Sequence, residues 1–173
     1  MKRLLLIRHA KSSWEDSTLA DLERPLNARG LRAAPQMGKR LRERNIHPDL
    51  MITSPAIRAS ATCSILAEKL GFAATKIQTE PRLYHASEEQ LLEVVRAIPD
   101  LNDSEEIVVL VGHNPGLTEF ANRLLGEHLQ NIPTCGVVEA AISASSWAET
   151  TWGCGKMVSF DFPKKGGQPS TQT

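Results

Sequence analysis

The sequence has no excess charge of either sign: 20 Lys and Arg face 20 Asp and Glu. A neutral chain does not draw in nucleic acid or a membrane surface by bulk attraction, so any anion site must be local. Cysteine is scarce and odd in number. Cys63, Cys135 and Cys154 form no CxxC pair, which argues against a disulfide framework or a zinc ribbon and implies free thiols in a reducing compartment. Cys154, in Trp152-Gly153-Cys154-Gly155, has no His or Asp placed to activate it. Long apolar runs are also missing. Met1-Lys2-Arg3 is followed by only four apolar residues before Arg8, too few for a secretory signal, and no run reaches transmembrane length. The expected location is the cytoplasm.

What the chain does have is a series of short apolar runs alternating with amphipathic segments. Leu4-Leu5-Leu6-Ile7 reads as a strand buried on both faces and stops abruptly at Arg8-His9. Residues 27–44 read as a helix, with Leu31, Ala34, Met37, Gly38 and Leu41 near one face. Leu50-Met51-Ile52-Thr53 is a second strand. Ser54 then suits a helix cap and Pro55 a first turn, with Gly71 closing that helix. Residues 76–79 form a weaker strand, and Ser87 caps a helix ended by Pro99. The strongest strand is Ile107-Val108-Val109-Leu110-Val111. A turn at 112–116, a helix at 117–125 and two later strands at 137–144 and 157–162 complete the pattern.

Alternating strands and helices predict an α/β fold, a three-layer sandwich with a mostly parallel central sheet flanked by helices. One domain over residues 1–163 is expected, with residues 164–173, rich in Gly, Pro, Ser, Thr and Gln, as a disordered tail. Ligands of such sheets bind beyond the carboxyl ends of the strands. Three segments place polar residues there: Arg8-His9, Ser54 to Arg58, and Gly112-His113-Asn114.

A single histidine after a strand is ordinarily structural. Two of them, each ending a buried strand, with Arg8 beside one and Arg58 near a helix start, fit phosphoryl transfer. The charge on a phosphoryl group is spread over its oxygens, and guanidinium groups bind those oxygens through paired hydrogen bonds. Helix starts near Pro55 and Gly116 would add backbone donors. Histidine is largely unprotonated at neutral pH, so His9 can attack in line and His113 can donate to the phosphoryl oxygens. A metal site built from His9, His85 and His113 matches no standard ligand spacing, and the two arginines would repel a cation. No metal or cofactor is expected.

These residues lie in recognisable contexts. Leu6-Ile7-Arg8-His9-Ala10-Lys11 resembles the Arg-His-Gly signature of the histidine phosphatase superfamily, which includes phosphoglycerate mutases. Asp21 to Gly30, Asp-Leu-Glu-Arg-Pro-Leu-Asn-Ala-Arg-Gly, is similar to the Arg-Pro-Leu element that follows the nucleophile. Thr53 to Thr62 resembles the segment carrying a second phosphate-binding arginine. Val111-Gly112-His113-Asn114-Pro115 resembles that carrying the second histidine. The resemblance spans roughly residues 2–145 and is greatest to SixA-type phosphohistidine phosphatases. It implies a phosphoglycerate mutase-like fold, His9 as nucleophile, and Arg8, Arg58 and His113 as the phosphate pocket.

Two departures stand out. Ala10 replaces the usual Gly, and its methyl is expected to narrow the space beside the nucleophile. The Leu-x-Glu context that supplies a general acid in mutases reads Leu83-Tyr84-His85 here, leaving His85 or Glu80 as candidate acids. A phosphorylated imidazole departs as a neutral group and needs little acid assistance, so a missing carboxylic acid favours a phosphohistidine substrate. Length agrees: 49 positions separate His9 from Arg58 and 55 separate Arg58 from His113, which leaves little room for an inserted cap. An open pocket suits a phosphorylated protein, such as a histidine phosphotransfer domain. Lys11, Ser12 and Asn114 are candidate substrate contacts. Arg24 is expected to pair with Asp21 or Glu23 and brace its loop. Trp14, Trp147 and Trp152 are expected to serve packing. The competing functions are a small-molecule phosphomonoesterase and a non-catalytic phosphate- or phosphoprotein-binding module.

Overall fold

A computed structural model describes residues 1–101 and 104–167. Its elements, in chain order, are β1 (Lys2–Arg8), α1 (Ala28–Glu43), β2 (Leu50–Thr53), α2 (Ile57–Leu70), β3 (Gln78–Thr79), α3 (Glu88–Arg96), β4 (Glu106–Gly112), α4 (Gly116–Leu125), β5 (Val137–Ile142) and β6 (Gly155–Asp161). Among the described residues the strands form one sheet in the order β3-β2-β4-β1-β5-β6. The pairs among β1 to β4 are parallel, and β5 runs antiparallel to both its neighbours.

Period-two alternation sorts the side chains of β1 into two cores. Leu4 and Leu6 join Val108, Leu110, Leu91 and Phe120 on one face of the sheet. Leu5 and Ile7 join Val109, Val111, Met37 and Leu66 on the other. Both faces are therefore covered by helices, α3 and α4 on one side and α1 and α2 on the other, which gives the expected three layers. Each wholly buried Leu or Ile contributes roughly 1.5–3 kcal/mol, so the central strands are the most firmly held part of the molecule. No helix among the described residues is long and apolar enough to cross a membrane.

One expectation requires correction. The helix after β2 starts at Ile57, not at Ser54 or Pro55. The Ser54 hydroxyl accepts only from the Ala56 N–H, at 3.3 Å, and its main partner lies elsewhere, as described below. The expected tail spans residues 164–173. Pro163–Gly167 forms a short 3-10 helix, because Arg40 of α1 donates to the carbonyls of Phe162 (3.0 Å) and Pro163 (2.9 Å) and pairs with Asp161. Residues 168–173 lie outside the described residues.

Candidate active site

The register places Arg8 opposite Gly112, so β1 and β4 end side by side and His9 and His113 follow at the same level. The backbone fixes this edge. The N–H of His9 donates to Gly112 O (3.1 Å), and that of Ser54 to Val111 O (3.1 Å). Cys135, at φ +59°, donates its N–H to the carbonyls of Arg8 and His9. The Ala10 N–H donates to Thr62 Oγ1, whose hydroxyl donates to Arg58 O at 2.7 Å. One threonine thus ties the loop that follows His9 to the helix that carries Arg58. Gly30 lets α1 close on the same loop: a Cβ there would lie 2.2 Å from Lys11 O.

The two imidazoles have ring centroids 5.1 Å apart. His9 Nδ1 lies 2.7 Å from Ala10 O. A carbonyl only accepts, so Nδ1 carries the proton and Nε2 keeps its lone pair. Burial, followed by Arg58, Arg8 and Arg24, pushes His9 down to about 4, against a smaller opposing effect of Ala10 O. Burial likewise pushes His113 down to about 3, with His9, Arg58 and His85 adding to it. Both rings are neutral at pH 7. His113 Nε2 pairs with Ser54 Oγ at 2.7 Å, which commits that nitrogen and leaves Nδ1 free to face a ligand.

Arg58 is anchored from behind. Its guanidinium donates to Asp21 O (2.6 Å) and Asp21 Oδ2 (2.9 Å). Asp21 also accepts from the Tyr84 hydroxyl (2.5 Å) and from Arg24 Nε (3.1 Å). Tyr84 first, then Arg58 and Arg24, hold its carboxyl well below the usual range, so it is an anion at any working pH. Arg8 donates to Ile132 O at 3.1 Å, its charge disfavoured by burial. The Nε atoms of Arg8 and Arg58 are buried without a hydrogen-bond partner. A buried N–H left so costs about 1–3 kcal/mol.

That cavity, of about 230 Å³, is lined by Arg8, His9, Lys11, Ser12, Arg24, Arg58 and His113, with Trp14, His85, Asn114 and Thr134 at its margins. Among the described residues no carboxyl group lines it. Of the predicted site residues, Arg8, His9, Arg58 and His113 meet here. Lys11 is exposed at the mouth. Ser12 is buried and accepts from Arg24 Nη1 at 2.9 Å. The side chain of Asn114 is committed to the protein. It donates to Asn131 Oδ1 and Ile132 O and accepts from Thr118, thereby steadying the carbonyl that receives Arg8.

Glu80 is not placed as an acid. It binds Arg82 through both oxygens (3.0 and 3.1 Å), which holds its carboxyl down rather than up, and it lines a different cavity, away from the histidines. His85 does line the site, at φ +54° and against the Tyr84 ring. The Ala10 methyl is wholly buried in the core, and Ala10 is not among the residues that line the cavity. Trp14 is not packed away either: it is 73% exposed, with the Arg24 guanidinium 3.4 Å from its ring centroid. Arg24 braces its loop as expected and also lines the cavity. The sequence reading gave Ser54 only a capping role, Asp21 only a pairing with Arg24, and Tyr84 none. Only Asp21, which opens the Arg-Pro-Leu segment, carried a signal that could have found it. Among the described residues no cluster of His, Cys, Asp and Glu is placed to hold a metal ion.

The family model of the histidine phosphatase superfamily (branch 1) matches residues 4–87. An uncharacterized chloroplastic protein of Arabidopsis thaliana is 31% identical over 153 residues, covering 86% of this chain and 70% of its own. The structure of the protein histidine phosphatase SixA complexed with tungstate superposes with a TM-score of 0.79 at 18% identity, over 94% of this chain and 98% of that one. SixA from Agrobacterium tumefaciens gives a TM-score of 0.78 at 25% identity, over 93% and 97%. With the Arg-His pair of β1, the arginine of α2 and the second histidine of β4 meeting in one pocket, the chain belongs to the histidine phosphatase superfamily.

Proposed function

We propose that the protein is a phosphatase that removes phosphate from histidine on a protein partner, through a covalent phosphohistidine at His9. The observation that carries this reading is the make-up of the cavity: two neutral imidazoles and buried guanidiniums, with no Asp or Glu among the described residues on its walls. The cations bind the phosphoryl oxygens, and Asp21 holds the Arg58 fork in place. His9 Nε2 attacks phosphorus in line, forming the N–P bond as the bond to the substrate imidazole breaks. His113 donates from Nδ1 to a phosphoryl oxygen as charge builds. The leaving imidazole, protonated on its far nitrogen, departs neutral and takes no proton from the enzyme. Water then attacks phosphorus, phosphate leaves, and His9 regains its lone pair.

An alkoxide leaving group would require an acid that the cavity walls lack, with His85 as the one further imidazole there. Volume supports the same substrate class. A cavity of 230 Å³ holds a phosphoryl group and little more, below the ~300–1,000 Å³ of enclosed small-molecule sites. The test is phosphate release from a phosphohistidine protein, a phosphoserine peptide and a sugar phosphate, with wild type and His9→Ala side by side. Release confined to phosphohistidine and lost in His9→Ala is expected. Faster turnover of the sugar phosphate would overturn the substrate class and move attention to His85 as acid. Undiminished release by His9→Ala would overturn the mechanism.

A further inference from the structure

Beside the phosphate cavity runs a second, larger groove of about 600 Å³ that shares Lys11 and Thr134 with it. Its charged lining is entirely cationic: Lys11, Arg29, Arg32 and Lys164. None of these four has an ion-pair partner among the described residues, a state shared with Arg8, Arg42 and Arg96 but not with Arg3, Arg24, Arg40, Arg44, Arg58, Arg82 and Arg123. In a chain with zero net charge this is a concentrated local imbalance.

The placement of the two arginines works against the helix that bears them. Arg29 and Arg32 lie in the opening turns of α1, whose first turn holds no acidic residue. Cations there oppose the helix dipole. By contrast, α3 opens with Glu88 and Glu89 and α4 carries Glu119. Three residues apart, Arg29 and Arg32 project from one face of α1. Opposite them, Phe162 and Pro163 form an apolar wall, held in place by the bonds from Arg40. The cleft by His85 and Ser87, which also reaches His113, has Glu119 as the only Asp, Glu, Lys or Arg among the described residues that line it. Charge thus distinguishes the two ways out of the site.

We propose that the Arg29–Arg32 groove docks an acidic segment of the phosphorylated protein that His9 dephosphorylates, a claim that rests on the substrate class proposed above. Exposed, unpaired cations around a partly apolar floor suit transient capture of carboxylates on a polypeptide, where charge complementarity raises the encounter rate and fixes orientation. A small polyphosphate fits less well, since the cations are exposed and the groove is nearly three times the volume of the phosphate cavity.

The test uses Arg29→Glu/Arg32→Glu in the full chain. Both positions are exposed, and acidic residues suit the start of a helix, so folding is preserved. The substrates are phosphoramidate and two phosphohistidine peptides, one flanked by glutamates and one by serines. The double variant is expected to raise KM for the acidic peptide by about tenfold at unchanged kcat, and to leave the serine peptide and phosphoramidate unaffected. Equal changes on both peptides, or none on the acidic one, would overturn the proposal. Fluorescence anisotropy of the unphosphorylated acidic peptide provides an independent reading, with weaker binding expected in the double variant. Tighter binding of inorganic tripolyphosphate than of the peptide, lost in the double variant, would assign the groove to a polyphosphate and overturn the proposal. If no substrate is turned over by wild type, the proposed activity falls, while the anisotropy still decides the groove.

Discussion

Strand β1 carries cations at both ends, and the fold treats them in opposite ways. At its start, Lys2 pairs with Asp100 at 2.8 Å and with the fully buried Glu106. Arg3 pairs with Glu105 and with Glu139, which is itself wholly buried and also holds Arg44 and Ser159. At its end, six residues on, Arg8 meets two imidazoles and a backbone carbonyl, and its Nε has no partner. Both ends bury charge, yet only the first balances it. A fold that neutralises the cations at the start of β1 and leaves Arg8, at its end, without a counter-charge fits a structural brace at the first and an anion site at the second.

The largest expected effect comes from exchanging the two ends. Arg8→Met should lower kcat/KM for a phosphohistidine substrate by about 10²–10³-fold, because it removes a donor to the transition-state charge. Its melting temperature should be unchanged or higher, since an uncompensated buried charge has gone. A melting temperature that falls with activity would make Arg8 a brace like Arg3. The converse is Glu139→Gln, which leaves Arg3 and Arg44 facing a neutral amide. Urea unfolding should show a loss of about 3 kcal/mol, while kcat on the same substrate stays within twofold of wild type.

Acidification sharpens the contrast next. His9 and His113 sit well below the ordinary imidazole value of 6.5 in the folded protein, at about 4 and about 3. Below pH 6.5 the unfolded chain binds protons at these positions that the native state does not, so stability falls as pH falls. The window runs from about 6.5 down to 4 for His9 and to 3 for His113. At pH 5 each imidazole should account for a loss on the order of 2 kcal/mol relative to pH 7. His113→Gln should shrink the drop between pH 7 and pH 5 in urea melts, and an unchanged drop would remove the buried, neutral imidazole from the account. A smaller effect is expected at Asp21. Asp21→Asn keeps the fold of the loop but weakens the anchor of Arg58, so KM should rise by about tenfold with a lesser change in kcat. An effect on kcat alone would mean that Asp21 acts on the chemical step.

The layers of the fold were legible because they follow local periodicity. Leu4-Leu5-Leu6-Ile7 and residues 107–111 lie where their apolar runs predict, and Gly71 closes α2 at φ +71°. Arg8, His9, Arg58 and His113 were legible because each ends a strand or opens a helix in a recognisable context. Ser54 was misread for a physical reason. A serine before a proline looks like a cap, but its partner His113 is 59 positions away, and no local pattern reports such a contact. Glu80 failed the other way: it is near the site in sequence, but Arg82, two residues on, claims it. The network of Asp21, Tyr84, Arg24 and Arg58 joins loops whose spacing depends on packing, so its members could be named but not connected. The short helix at Pro163–Gly167 was hidden for the same reason, because Arg40 holds the Pro163 carbonyl from across the molecule.

The central claim is that His9 carries phosphate during turnover. The direct measurement is to mix the protein with radiolabelled phosphohistidine substrate, quench within milliseconds in alkali, and map the label by mass spectrometry. The account predicts an alkali-stable, acid-labile phosphate on His9, absent from His9→Ala and decaying at the rate of phosphate release. Turnover with no labelled protein, or with label on a residue other than His9, would contradict it.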